Sequence, residues 1–149
     1  MTGKSILKLT GFIAGIGGLL FLSLFLFVRM IATQRGCEAF NIDNIEMHAK
    51  VDVLKIISSD CGYDESTLTK TAFFKVDLDK LKPNYITVNK FQPLEDFSEI
   101  EGFTFIRSEE INENSSNLYI KKHQYKGEKT IALFDETSGN LWVTINYAD

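Results

Sequence analysis

The sequence predicts an α+β protein: an N-terminal transmembrane helix followed by one small domain with an antiparallel sheet and one or two short helices. Three observations carry this reading. Residues 9–28 hold 14 apolar side chains in 20 and no charge. The last third alternates apolar and polar residues between turns that contain glycine. Two cysteines, Cys37 and Cys61, fall on the same side of the apolar run, 24 residues apart.

The charge distribution supports the same division. Residues 1–36 carry Lys4, Lys8, Arg29 and Arg35 with no acid, a sum of +4, whereas the remaining 113 residues sum to -8. A short basic leader joined to one acidic domain argues against a multi-domain enzyme, a disordered chain or a polytopic transporter. An acidic domain also argues against nucleic-acid binding, which needs a basic face to neutralise phosphates.

Four segments follow: a tail over 1–8, a signal anchor over 9–28, a linker over 29–36 and a domain over 37–149. Twenty residues at about 1.5 Å each span roughly 30 Å, the thickness of a hydrocarbon core. A cleaved signal has a shorter apolar region, of about 7–15 residues, followed by small residues. Here bulky Met30 stands before the one candidate site after Ala32, and Gln34-Arg35-Gly36 does not suit lipidation of Cys37. An uncleaved anchor fits better. Basic residues are nearly balanced across the span, so the short tail and the cysteines decide the orientation: N-terminus cytoplasmic, domain periplasmic or extracellular, with a bacterial inner membrane as the expected location. Within the span, Gly11 and Gly15, and Ala14 and Gly18 one face over, have the four-residue spacing of a helix-dimer seam. Glycine is also common in membrane helices without such a role.

In an oxidising compartment Cys37 and Cys61 read as one disulfide, worth roughly 3–4 kcal/mol by loop-closure entropy. Their spacing is a poor zinc or thiol-redox signature.

Along the domain, residues 41–49 suit a short helix with Ile42, Ile45 and Ala49 on one face. Residues 53–61 read as a strand, GYDEST as the turn after it, and 71–78 as the returning strand. In that second strand Ala72, Phe74, Val76 and Leu78 are expected inward, and Phe73, Lys75 and Asp77 outward. Residues 79–91 are read as helix on the strength of Pro83, although Ile86, Thr87 and Val88 would suit a strand. Pro93 closes the element. FTFI at 103–106 suggests another strand.

Segments 117–125, 129–135 and 140–147 form a three-strand meander, joined by KGE and ETSG. Leu141, Val143, Ile145 and Tyr147 are expected to share a core face with Ile131 and Leu133, opposite Trp142, Thr144 and Asn146.

The chain carries no HExxH, Gly-rich phosphate loop or GxSxG, and no cofactor or metal is expected. His123, beside Lys121 and Lys122, reads as a surface residue, and His48 as a boundary residue of the first helix. Asp77-x-Asp79 lacks the oxygen count that calcium requires. Asn114-Ser115-Ser116 is a glycosylation sequon, meaningful in a eukaryotic source only.

One region stands out. Residues 95–113 hold Glu95, Asp96, Glu99, Glu101, Glu109, Glu110 and Glu113 against Arg107, a sum of -6. Lys121, Lys122, Lys126 and Lys129 lie nearby in sequence. Phe97, Phe103 and Phe105 interleave the acids, as aromatic anchors do in protein interfaces. The segment is therefore the candidate partner-binding site, for a protein partner of basic character. A solvated, charged loop would have the same composition. The expected function is a non-catalytic, membrane-anchored interaction domain of inhibitor or immunity type. The alternatives are an accessory subunit of a membrane complex and a small envelope hydrolase.

Overall fold

The computed structural model describes residues 3–32 and 36–147. The chain divides into two compact units, Met1–Gln34 and Arg35–Asp149.

The first unit is a single helix, α1 (Gly3–Ala32, 30 residues). Every described side chain from residue 14 to residue 30 is exposed, Phe21 at 73% and Leu19 at 69%. Ser23 in this stretch donates its hydroxyl to the Leu20 carbonyl at 2.9 Å, so its polar group is satisfied within the helix. Among the described residues no helix is long and apolar enough to cross a membrane. The unbroken run of described side chains, 14–30, corresponds to about 26 Å of helix, short of a full hydrocarbon core. The transmembrane span over 9–28 is thus a reading of the sequence that the described residues do not support.

The second unit is α+β. It contains α2 (Ala39–Ala49), β1 (Ile56–Asp64), β2 (Thr69–Val76), a one-turn α3 (Tyr85–Val88), β3 (Gln92–Pro93), β4 (Leu118–Tyr125), β5 (Glu128–Asp135) and β6 (Asn140–Asn146). Short 3-10 turns occupy Leu78–Lys80, Phe97–Ile100 and Ser108–Glu110. The strands form one antiparallel sheet in the order β1-β2-β6-β5-β4-β3. The expected hairpin and meander are both present, joined through β2 and β6. Lys126 and Gly127, with φ of 49° and 88°, make the two-residue turn between β4 and β5, whose positive angles match the twist of paired strands.

The sheet has two buried faces, and this corrects the expected inside–outside pattern. One core gathers Ala72, Phe74, Val76, Ala132, Phe134, Leu141, Val143 and Ile145 under α2 and α3. The other gathers Phe73, Ile131, Leu133 and Trp142 under the segment 94–111. Phe73 is therefore inward on a second face, and Ile131 and Leu133 side with Trp142 rather than with Leu141. Strict alternation by itself suggests one wet face; a sheet covered twice buries both sets.

Boundaries shift for local reasons. Val51 and Val53 are buried but precede the strand, because Lys55 turns the chain at φ 57°. Gly62, Tyr63 and Asp64 belong to β1, and the turn is 65–68. Leu78 leaves β2 for a 3-10 turn and is 38% exposed. Of the helix expected over 79–91, one turn forms at Tyr85–Val88. Pro93, which lacks a backbone N–H, sits in the short edge strand β3 opposite Tyr119. FTFI is no strand.

Cys37 and Cys61 form the expected disulfide, with a Cα–Cα distance of 5.4 Å. It ties the start of the domain to edge strand β1.

Candidate functional site

The acidic segment lies as a strap across the second face of the sheet. Its apolar side chains turn inward: Phe105 is buried, and Leu94, Phe97, Ile100, Phe103, Ile106 and Ile111 pack against the same core. Two partly buried hydrogen bonds fasten it, since Thr144 Oγ1 donates to the Thr104 carbonyl at 2.6 Å and Trp142 Nε1 to that of Arg107 at 3.3 Å. Arg107 holds a left-handed backbone (φ 53°) and stacks its guanidinium 4.8 Å from the Phe73 ring centroid. It also reaches Asp60 and Glu110, each at 3.4 Å. The aromatic residues within the acidic stretch thus anchor the strap to its own sheet. What the strap offers outward is carboxylate.

Those carboxylates fall into two groups. Glu99 pairs with Lys122 at 3.0 Å, and that hydrogen bond holds its carboxyl below the usual range. Glu110 accepts from Asn140 at 3.3 Å as well as facing Arg107. Asp96 accepts from the Ser98 N–H at 2.9 Å, capping a 3-10 turn, and this bond lowers its carboxyl. Glu95, Glu101, Glu109 and Glu113 are exposed and form no ion pair among the described residues. The structure therefore brings all the sequence-predicted acids onto one cover, with four of them committed to solvent.

The helix face, in contrast, hides polar groups that sequence reasoning missed. Lys70 is 1% exposed, with Nζ 2.5 Å from Asn41 Oδ1 and 3.4 Å from Asn44 Oδ1. His48 Nδ1 lies 2.6 Å from Glu128 Oε1 and meets the Tyr147 ring edge-on at 5.7 Å between centroids. The pair is separated by 80 residues, so no local pattern announces it. With both cysteines in the disulfide, neither can serve as a thiol nucleophile for His48 or His123. Asp77 pairs with Lys80 at 2.7 Å, and among the described residues no group of His, Cys, Asp and Glu is placed to hold a metal. Gly11, Gly15 and Gly18 on α1 have no heavy atom within 4 Å of an added Cβ.

No family model, curated protein or solved structure matches the chain.

Proposed function

We propose that this is a membrane-anchored, externally facing interaction domain without catalysis, of inhibitor or immunity type, whose acidic strap engages a basic protein partner. The observation that carries the reading is the strap's division of labour. Its apolar residues are spent on the sheet, while Glu95, Glu101, Glu109 and Glu113 project from a backbone fixed by that packing. Carboxylates on a rigid support steer a basic surface at little ordering cost. The anchor reading rests on α1, whose described side chains from 14 to 30 are exposed and uncharged apart from Arg29. Such a surface requires lipid or another chain to cover it. The disulfide suits an oxidising compartment outside the cytoplasm.

The test is co-purification from membranes at about 50 and about 500 mM salt, which lie on either side of physiological screening, where the Debye length is about 8 Å. Partner recovery is expected to fall at high salt and with the triple change Glu95→Lys, Glu101→Lys, Glu109→Lys. A partner retained equally in all arms would overturn the acidic surface. Reporter fusions after residue 149 test the topology: a periplasmic reporter is expected to be active, and a cytoplasmic one silent.

A second reading, an accessory subunit held through its span, is favoured by the open small-residue face of α1 (Gly11, Ala14, Gly15, Gly18). It predicts that exchanging residues 9–28 for an unrelated span abolishes function and that Gly15→Leu reduces self-association. The interaction-domain reading predicts that any span suffices.

A further inference from the structure

Strand β4 is wider than its neighbour. β3 pairs with it at Tyr119 and Ile120 only, and Leu94 N–H donates to the Leu118 carbonyl at 2.9 Å. The two-residue turn at Lys126-Gly127 fixes which backbone groups face which way. Tyr125 and Glu128 flank that turn and exchange hydrogen bonds, so His123 and Lys121 also bond inward to β5. Leu118, Ile120, Lys122 and Gln124 consequently turn N–H and C=O outward. The first two meet the β3 segment. Lys122 and Gln124 have no strand beside them among the described residues.

Where β3 stops, a cleft of 600 Å³ opens along this edge. One wall comes from the helix layer, through Lys50, Val88 and Lys90; the other comes from the strap, through Glu99. Lys50 and Lys90 both stand in left-handed backbone (φ 55° and 58°) just past the ends of α2 and α3. Lys121 rises from β4 on the same side, its ammonium donating to the Lys50 carbonyl. Burial, with Lys90 and then Lys50 adding repulsion against the pull of Asp52, holds the Lys121 ammonium below the ordinary lysine range. A second cleft of 370 Å³ continues the groove towards Met47 and Tyr125, which are 58% and 60% exposed. His123 and Lys50 line both.

We propose that this groove receives an extended acidic segment of another polypeptide, added as a strand beside β4 and read by Lys50, Lys90 and Lys121. Strand pairing uses the outward groups of Lys122 and Gln124, as in other edge-strand recognition. Alternate residues of an added strand face opposite sides, so carboxylates at every second position meet the three lysines. The positions between them face Lys122 and Glu99, already paired with each other, and suit neutral side chains. This surface is opposite in sign to the exposed acids of the strap and does not depend on them.

The probe is an eight-residue capped peptide alternating glutamate and valine, titrated into the full chain in detergent micelles and followed by backbone amide exchange. Tenfold or greater slowing of exchange at Lys122 and Gln124 is expected. A peptide of the same composition with its glutamates in one block should bind at least tenfold more weakly. The protein with its exposed pair changed, Lys50→Glu and Lys90→Glu, should likewise bind the probe at least tenfold more weakly. Gln124→Pro keeps every lysine and removes one outward N–H, a change edge strands tolerate. It is expected to weaken binding tenfold while the melting temperature moves by only a few degrees. Unaltered exchange at saturating probe would overturn the proposal. So would equal binding of the block peptide or of inorganic polyphosphate with no effect of Gln124→Pro, which would make the groove a general polyanion surface.

Discussion

Lys70 Nζ lies 2.5 Å from Asn41 Oδ1, with both side chains sealed from solvent between α2 and the sheet. Its two acceptors, Asn41 and Asn44, are amides rather than carboxylates. Removal from water is the dominant influence, and it pushes the ammonium down from 10.5 to about 8.

This makes stability rise in mild alkali. Between pH 8 and 10.5 the unfolded chain holds the Lys70 proton and the folded chain does not, so folding is favoured as pH increases. The expected gain from pH 7 to 9.5 is about 2 kcal/mol. Below pH 8 lysine is charged in both states and the penalty is constant. Above pH 10 the sign reverses, because burial raises the phenols of Tyr85 and Tyr147 and the folded chain then holds the extra protons. Urea titrations at pH 7 and 9.5 check this, and Lys70→Met should flatten the difference.

The disulfide is expected to be complete and stabilising. Alkylation of the denatured, unreduced chain should modify no cysteine. Replacing Cys37 and Cys61 by serine together should lower stability by about 3 kcal/mol, since the bridge closes a loop of 24 residues.

At Gly139 two costs coincide. Its φ is 73°, and an added Cβ would stand 2.7 Å from the Val76 carbonyl oxygen and 3.1 Å from Leu78 Cγ. Gly139→Ala should therefore cost about 2 kcal/mol or more. Gly102→Ala is the comparison: φ is 83°, but nothing lies within 4 Å. It should cost about 1 kcal/mol, from backbone conformation alone. Denaturant midpoints of the two variants separate the steric part.

The strap should respond oppositely to changes of its two kinds of residue. Phe105→Ala empties a buried site and should cost about 3 kcal/mol. Changing Glu95, Glu101 and Glu109 to lysine should alter stability by less than about 1 kcal/mol, since none forms an ion pair among the described residues. Thermal melts of the two variants test that contrast without any partner present.

The meander was legible because glycine turns and period-2 alternation act over a few residues. The disulfide followed from there being two cysteines. The second core was harder to see. Alternation in TAFFKV and NLWVTI places Phe73 and Trp142 opposite Phe74 and Leu141, but it does not say whether the opposite side is wet. The clue was bulk: large apolar residues such as Phe73 and Trp142 on a supposedly exposed face require a cover. The strap was visible as charge, yet its phenylalanines read equally as anchors for a partner. Only their packing on Ile131 and Trp142 distinguishes the two. Lys70 and the His48–Glu128 pair left no local trace, because burial and an 80-residue separation are properties of the assembled sheet.

The bond from Cys37 to Cys61 also sets a path for mechanical load. Tension applied to the chain before Cys37 passes through sulfur into the middle of β1, bypassing residues 38–60, which include α2. β1 is paired along its length with β2, from Ile56 opposite Val76 to Asp64 opposite Thr69. Resistance then comes from a whole ladder of hydrogen bonds, while the helix over Lys70 stays unloaded. Under reducing conditions the same tension would act first on α2, peeling it from the core one turn at a time.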